Sequence, residues 1–98
     1  DRLKAPSDVL NAIERWSSLG REPFEMKENK QKWELALIVP VASFFRHNLK
    51  NLSGKTMRAN FYKCGDKTTK PHFLSWNPID LPAPDFHRPD FFGEIRFL

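Results

Sequence analysis

A period of two in the apolar residues marks the segment from Thr56 to Cys64. Its apolar set is Met57, Ala59 and Phe61, and its polar set is Arg58, Asn60, Tyr62 and Cys64. Alternation of this kind predicts a β-strand with one face toward a core and the other toward solvent or a ligand. We therefore expect a cation, an amide and a phenol to stand in a row on the second face.

Three further segments have the pattern of strands. Residues 33–39 read W-E-L-A-L-I-V and are followed by Pro40. Both faces of this strand are apolar toward its end, which predicts that this end is covered on both sides. A short strand is predicted at residues 72–76 and a closing strand at 94–98. Together these segments predict a mainly antiparallel β region over residues 33–98.

The N-terminal part of the chain follows a helical period instead. Apolar residues recur with 3.6-residue spacing at Val9, Leu10, Ile13 and Trp16. This spacing predicts one amphipathic helix over residues 7–19, ending at Gly20. The polar, charged residues 21–31 read as a loop, with a turn at 28–30.

Length and composition limit the chain to one small domain. It has 98 residues, a formal charge of +4, a pI near 9.5 and a single cysteine. One cysteine excludes an internal disulfide and a cysteine-based zinc site. No apolar run reaches the roughly 20 residues that span a bilayer, so no membrane span is expected. The basic charge is spread along the chain, which is typical of a solvated mixed-charge surface.

Five short motifs make the chain resemble the C-terminal half of the family 9-like carbohydrate-binding modules of glycan-degrading bacteria. In chain order they are R-W-x-S-L-G-x-x-P-F at 15–24, W-E-L-x-L-x-I/V-P at 33–40, G-K-x-x-R-x-N-F at 54–61, S-W-x-P at 75–78 and H-R-P-x-x-F-G-x-I/L-x-F at 87–97. The likeness extends from about Val9 to the end of the chain.

The resemblance implies a non-catalytic β-sandwich that binds an oligo- or polysaccharide. It implies a secreted, periplasmic or cell-surface protein of glycan utilisation, and a family domain about twice this length. The 98 residues would then be a partial domain whose N-terminal half is missing. It also implies that residues 76–93 form one wall of the sugar site. Family members carry a Trp near Phe86 or His87, and this chain has none there.

The residue types agree with sugar binding. Pyranose C–H faces stack on aromatic rings, and hydroxyls pair with planar polar groups such as carboxamides and guanidinium groups. The candidate ligand-binding residues are Arg58, Asn60, Tyr62, Trp76, His87 and Arg88. Each also has a structural interpretation: Trp76 could fill a core, Arg58 could pair with Asp66 or Glu94, and His87 could brace its loop.

Two other classes of function compete with this one. A small hydrolase or metal site would use His72, His87 and nearby Asp residues, but the chain has no catalytic signature motif. A basic, aromatic strand face could bind nucleic acid, although no RNA-binding motif is present. No cofactor is expected. Calcium could be bound through Asp66, Asp80 or Asp85, but no loop has the ligand spacing of a calcium site.

Overall fold

The computed structural model describes residues 3–26 and 31–98. In chain order its elements are α1 (Ser7–Asn11), β1 (Glu14–Ser17), β2 (Leu35–Ile38), β3 (Thr56–Ala59), β4 (Tyr62–Gly65), β5 (His72–Ser75) and β6 (Gly93–Arg96). Short 3-10 turns lie at Val41–Ser43 and Pro89–Phe91. The turn predicted at 28–30 lies outside the described residues.

The strands form three antiparallel pairs, β1–β2, β3–β6 and β4–β5. The prediction of a mainly antiparallel β fold with one N-terminal helix is confirmed. The chain divides into two compact units, residues 1–52 and 53–98. The first contains α1, β1 and β2, and the second contains the other four strands. The single-domain assignment of residues 1–98 stays a prediction.

The helix predicted over residues 7–19 is wrong in its length. The structure has a helix only at Ser7–Asn11, and Glu14–Ser17 form β1. Ile13, Trp16 and the serines that follow have low helix propensity, so little opposes an extended conformation here. Pairing with the apolar strand β2 decides the conformation, because tertiary contacts override a weak local preference.

Neither face of the β1–β2 pair is covered. The register places Leu35 and Leu37 opposite Ser17 and Arg15 on one face, and Ala36 and Ile38 opposite Trp16 and Glu14 on the other. All four residues of β2 are exposed. The strand predicted at 33–39 is thus found at Leu35–Ile38, and its residues are exposed rather than covered among the described residues of the first unit.

The apolar face of β3–β6 is the closest approach to a core in the second unit. Its four residues are half-buried, whereas the opposite face is exposed. The half-buried set is Met57, Ala59, Gly93 and Ile95. No hydrophobic side chain among the described residues is fully buried.

The continuous strand predicted from Thr56 to Cys64 is divided in two. β3 pairs with β6 and β4 pairs with β5, and the chain changes partner at Asn60 and Phe61. A pattern of alternating residues does not reveal this, since the period of two continues through the break. Phe61, expected on the core face, is 55% exposed. The short strand predicted at 72–76 is present at His72–Ser75.

Candidate functional site

The side chain of Asn60 takes the place of backbone pairing where β3 ends and β4 begins. Its Nδ2 donates to the carbonyl of Asn77 at 2.9 Å, and its Oδ1 accepts from the backbone N–H of Asn77 at 2.8 Å. The same Oδ1 accepts from the N–H of Phe61 at 2.9 Å. Nδ2 also donates to the carbonyl of Phe91 at 3.4 Å. One carboxamide thus bonds to four backbone groups, which fixes the segment around residue 77 against the start of β4.

Two further side chains hold the residues that precede β6. Arg58 donates through Nη2 to the carbonyls of Asp90 at 3.2 Å and Phe92 at 2.9 Å. Asn77 donates through Nδ2 to the carbonyl of Phe91 at 2.8 Å. The pairing of Arg58 with Asp66 or Glu94 considered from the sequence is wrong, because the guanidinium group reaches carbonyls in the 3-10 turn and just after it. Arg58 and Asn60 therefore hold backbone groups of residues 77 and 90–92 in place, and their predicted contact with a ligand stays a prediction.

Trp76 and Phe61 form an exposed aromatic pair at the end of β4–β5. The N–H of Trp76 donates to the carbonyl of Phe61 at 2.9 Å, so the two residues extend the strand pair by one position. Their ring centroids are 5.7 Å apart with an interplanar angle of 64°. Trp76 is 53% exposed. Its ring also lies against Gly93, where an added Cβ would come within 2.7 Å of Cζ3.

The opposite face of β4–β5 carries a second aromatic group. The ring of Tyr62 stacks on Phe86 at 4.4 Å and 12°, and Phe73 meets Phe86 edge-on at 6.1 Å. Beside them is an open pocket of about 180 Å³, where Ser75 and Asp85 supply the polar groups. Tyr62 Oη is buried without a hydrogen-bond partner, as is Ser43 Oγ among the described residues.

His72 and Lys63 are engaged with each other across β4–β5. His72 Nδ1 donates to the carbonyl of Lys70 at 2.9 Å, because a carbonyl can only accept. The other ring nitrogen, Nε2, is then the acceptor for Lys63 Nζ. The imidazole ring covers Gly65, where a Cβ would collide with it. In this state His72 braces the strand pair, and its Nε2 is occupied by an ammonium group.

Arg88 is held in the loop before β6 by an ion pair with Asp90. Its Nε and Nη2 donate to the two carboxylate oxygens at 3.1 and 2.6 Å, and its guanidinium lies 5.2 Å from the centre of the Phe91 ring. The hydrogen bond from Arg88 lowers the pKa of Asp90, and the same bond raises the pKa of Arg88. The backbone N–H of His87 donates to Asp85 Oδ1 at 3.0 Å. Bracing of the loop by the His87 side chain stays a prediction.

The six predicted ligand residues thus lie in the second unit but do not share one surface. Alternation along β4 puts Tyr62 on the face opposite the Phe61–Trp76 pair. The predicted role of each in contacting a ligand stays a prediction. Sequence reasoning missed Phe61, which it assigned to the core, and Asn77, whose backbone and side chain both join the network. The signal available for Asn77 was its position between Trp76 and Pro78 in the S-W-x-P motif.

The described residues hold no group of three or more His, Cys, Asp or Glu side chains that could bind a metal ion. Within the same part of the chain, no helix has the length and apolar character needed to cross a membrane. Cys64 is a free, exposed thiol. The calcium prediction remains untested.

Comparison with known proteins identifies the family. The model of carbohydrate-binding family 9 matches residues 1–97. The chain belongs to carbohydrate-binding family 9. The resemblance seen in the five motifs is thereby confirmed, and the family 9 match extends over the N-terminal unit as well.

A solved structure from Bacteroides uniformis is similar to this family 9 chain. That protein is a candidate carbohydrate-binding protein, with 52% sequence identity and a TM-score of 0.85. The match covers 100% of this chain and 45% of the other, so the family 9 chain spans less than half the length of this relative. The β-sandwich class expected from the resemblance is confirmed. No curated protein matched the chain.

Proposed function

We propose that the chain is part of a non-catalytic carbohydrate-binding module in which a sugar ring stacks on Trp76. The supporting observation is the Phe61–Trp76 pair, in which two rings, each more than half exposed, are fixed opposite each other. An aromatic ring held open to solvent offers its face to the C–H groups of a pyranose. Backbone pairing and the contact with Gly93 already hold Trp76 in place. Ordering its side chain therefore costs little free energy when a sugar binds.

Arg88 supplies the polar contact in this proposal. Asn77, which follows Trp76, holds the carbonyl of Phe91, and Arg88 lies over the Phe91 ring. A guanidinium group has five N–H donors, and Asp90 engages only its Nε and Nη2 groups. The remaining donors are available to sugar hydroxyls. Arg58 and Asn60 position these groups. Tyr62, on the opposite strand face, and His87 stay predicted contacts that stacking on Trp76 does not require.

The whole protein is expected to contribute more to sugar binding than these 98 residues. We expect part of the sugar site to lie on polypeptide outside these 98 residues, since the Bacteroides uniformis relative is more than twice as long as the matched region. A secreted, periplasmic or cell-surface location belongs to the same proposal. Binding requires no metal in it, so chelation of divalent ions is expected to leave sugar retention unchanged.

The direct test is affinity electrophoresis of the protein in gels that contain soluble plant, host or microbial polysaccharides. We expect at least one polysaccharide to retard the wild type, and Trp76→Ala to abolish that retardation while circular dichroism stays unchanged. Leu74→Ala is the matched control, because Leu74 lies on the same strand face and is 57% exposed. Retention by Trp76→Ala, or its unfolding, would remove Trp76 from the site.

Salt separates this proposal from nucleic-acid binding. Retention of a neutral polysaccharide should change little between 50 and 200 mM salt, whereas affinity for nucleic acid falls by roughly a thousandfold or more when several phosphates are contacted. A steep loss of retention with salt would favour the nucleic-acid alternative. Release of new reducing ends from the bound polysaccharide would show that the chain is catalytic.

A further inference from the structure

We propose that Gly93 determines the size of the aromatic ring that the protein can hold open to solvent at position 76. Only a residue without a side chain at position 93 leaves room for the six-membered ring of the Trp76 indole. The inference rests on the proposed function, in which a sugar stacks on this ring. It goes further, because it assigns the residue that allows a tryptophan, rather than a smaller ring, to form the stacking surface.

The space beside Gly93 in β6 is filled by the indole of Trp76. A Cβ added at position 93 would lie 2.7 Å from Cζ3 and 3.0 Å from Cη2 of that indole. Carbon atoms in favourable contact are about 3.5–4.0 Å apart, so an alanine side chain and the indole do not fit together here. Both indole atoms belong to the six-membered ring, and the shorter ring of a phenylalanine in the same rotamer does not extend to them.

The backbone conformation at position 93 does not itself require glycine. Of the four glycines, all in the described part of the chain, only Gly20 and Gly54 have a positive φ. Gly93 lies in β6 directly opposite Ala59. Glycine inside a strand lowers stability and often marks a place where another group approaches closely. The approach of the indole is therefore the physical reason for glycine at this position.

The backbone on each side of the contact is fixed by hydrogen bonds. The N–H of Trp76 donates to the carbonyl of Phe61 at 2.9 Å. On the other side, Arg58 donates to the carbonyl of Phe92, the residue before Gly93, at 2.9 Å. An added Cβ would therefore turn the indole rather than move the strands apart. The arrangement of the indole with the Phe61 ring, at 5.7 Å and 64°, would then be lost.

Asn77 is the other neighbour of the added atom. Its Oδ1 lies 3.1 Å from the Cβ position, and its Nδ2 donates to the carbonyl of Phe91 at 2.8 Å. A loss of binding in Gly93→Ala can therefore arise from either side chain. Trp76→Phe distinguishes the two causes, because it removes the contact with the indole and keeps the contact with Asn77.

The test compares the wild type with Gly93→Ala, Trp76→Phe and the double variant, by affinity electrophoresis and by unfolding in urea. Gly93→Ala alone should lower the urea midpoint and weaken sugar retention by about tenfold or more, because the overpacked ring leaves its place. In the Trp76→Phe background, the same change should alter retention by less than about twofold, because the collision is absent. The urea midpoint should there stay unchanged or rise, since alanine restricts the unfolded chain more than glycine does.

The indole N–H resonance of Trp76 reports on the ring directly. It is assigned by its loss in Trp76→Phe, and we expect it to shift in Gly93→Ala without sugar. Gly65→Ala is the matched control, because Gly65 also lies in a strand and an added Cβ would collide with the ring of its partner His72. This control should lower the urea midpoint as well, but leave the Trp76 resonance and sugar retention unchanged.

Three results would overturn the inference. They are an unmoved Trp76 resonance in Gly93→Ala, the same effect of Gly93→Ala in both backgrounds, and an equal loss of retention in Gly65→Ala. The urea and NMR measurements require no sugar, so they decide whether position 93 limits the ring in every case. Absence of retention by any polysaccharide, with the expected urea and NMR results, would contradict only the proposed function.

Discussion

The strand pairs β1–β2 and β4–β5 have the same length and the same antiparallel pairing, but they expose different chemistry. β1–β2 is open on both faces, and the exposed side chains of β2 are aliphatic. In β4–β5, Phe86 stacks on Tyr62 over one face, and the other face ends in the exposed rings of Phe61 and Trp76. Burying an aliphatic face against another polypeptide is favourable because it removes apolar surface from water. An aromatic face can also stack on the C–H groups of a sugar.

The two pairs also differ in how their ends are fixed. In the second unit, Arg58, Asn60 and Asn77 bond to backbone groups of residues 77 and 90–92. At the end of β1–β2, Ser18 Oγ accepts from the N–H of Glu34 at 2.8 Å. The polar framework of the second unit is thus internal to it, whereas the exposed side chains of β2 are aliphatic.

The largest change in the free energy of unfolding is expected from Asn60→Ala in the second unit. The change leaves backbone groups of Asn77 and Phe61 without their partner, and each lost hydrogen bond is worth about 1 kcal/mol. We expect the free energy of unfolding in urea to fall by about 2–3 kcal/mol. Asn51→Ala, at an exposed position of the first unit, is the control and should change it by less than about 0.5 kcal/mol. Equal effects of the two substitutions would refute the positioning role of Asn60.

A smaller effect, of opposite sign, is expected from Tyr62→Phe. The hydroxyl is buried without a partner, so its removal should leave the free energy of unfolding unchanged or raise it by up to about 1 kcal/mol. The stack on Phe86 is kept in this variant. Sugar retention should also persist, since Tyr62 lies on the face opposite Trp76. Loss of retention at unchanged stability would instead extend the sugar site to the Phe86 face.

The smallest effect is a pH dependence from Asp90. The hydrogen bond from Arg88 lowers the pKa of Asp90 below its ordinary value. The contribution of Asp90 to stability is therefore present above that ordinary pKa and is lost as the pH falls through the lowered pKa. Both groups are exposed, and the change in stability should be slight. Titration of the Asp90 carboxyl carbon by NMR should move to higher pH in Arg88→Gln. An unchanged titration would show that the ion pair does not form in solution.

Local patterns predicted the strands because alternation and apolar runs report directly on which side chains can be buried. The strands at 33–39, 72–76 and 94–98 are all present in shorter form. The helix over 7–19 was overestimated, because 3.6-residue spacing across a few apolar residues also fits a short helix followed by a strand. The pairing of strands depends on tertiary contacts. The change of strand partner at Asn60 could therefore not be predicted from the local sequence pattern.

The arrangement of the candidate site residues could not be predicted from the sequence, and which of them contact a ligand stays a prediction. The sequence offered two interpretations of Trp76, and its exposure argues against the one in which it fills a core. Arg58 and Asn60 were assigned to a ligand face, since periodicity shows the side of a strand but not the hydrogen-bond partner. Apart from the bond between Asn60 and the adjacent N–H of Phe61, their backbone contacts lie 17 to 34 residues away in the chain, a distance at which local patterns carry no information.

The three tryptophans offer the most direct test of the proposed site. Trp16, Trp33 and Trp76 are all substantially exposed, but only Trp76 lies in the second unit. We would titrate the ¹⁵N-labelled protein with an oligosaccharide cut from the polysaccharide that retards it, and follow the three indole N–H resonances. We expect a saturable shift of the Trp76 indole resonance alone. A shift of Trp16 or Trp33 with Trp76 unmoved would contradict it and would place the sugar on the aliphatic strand pair.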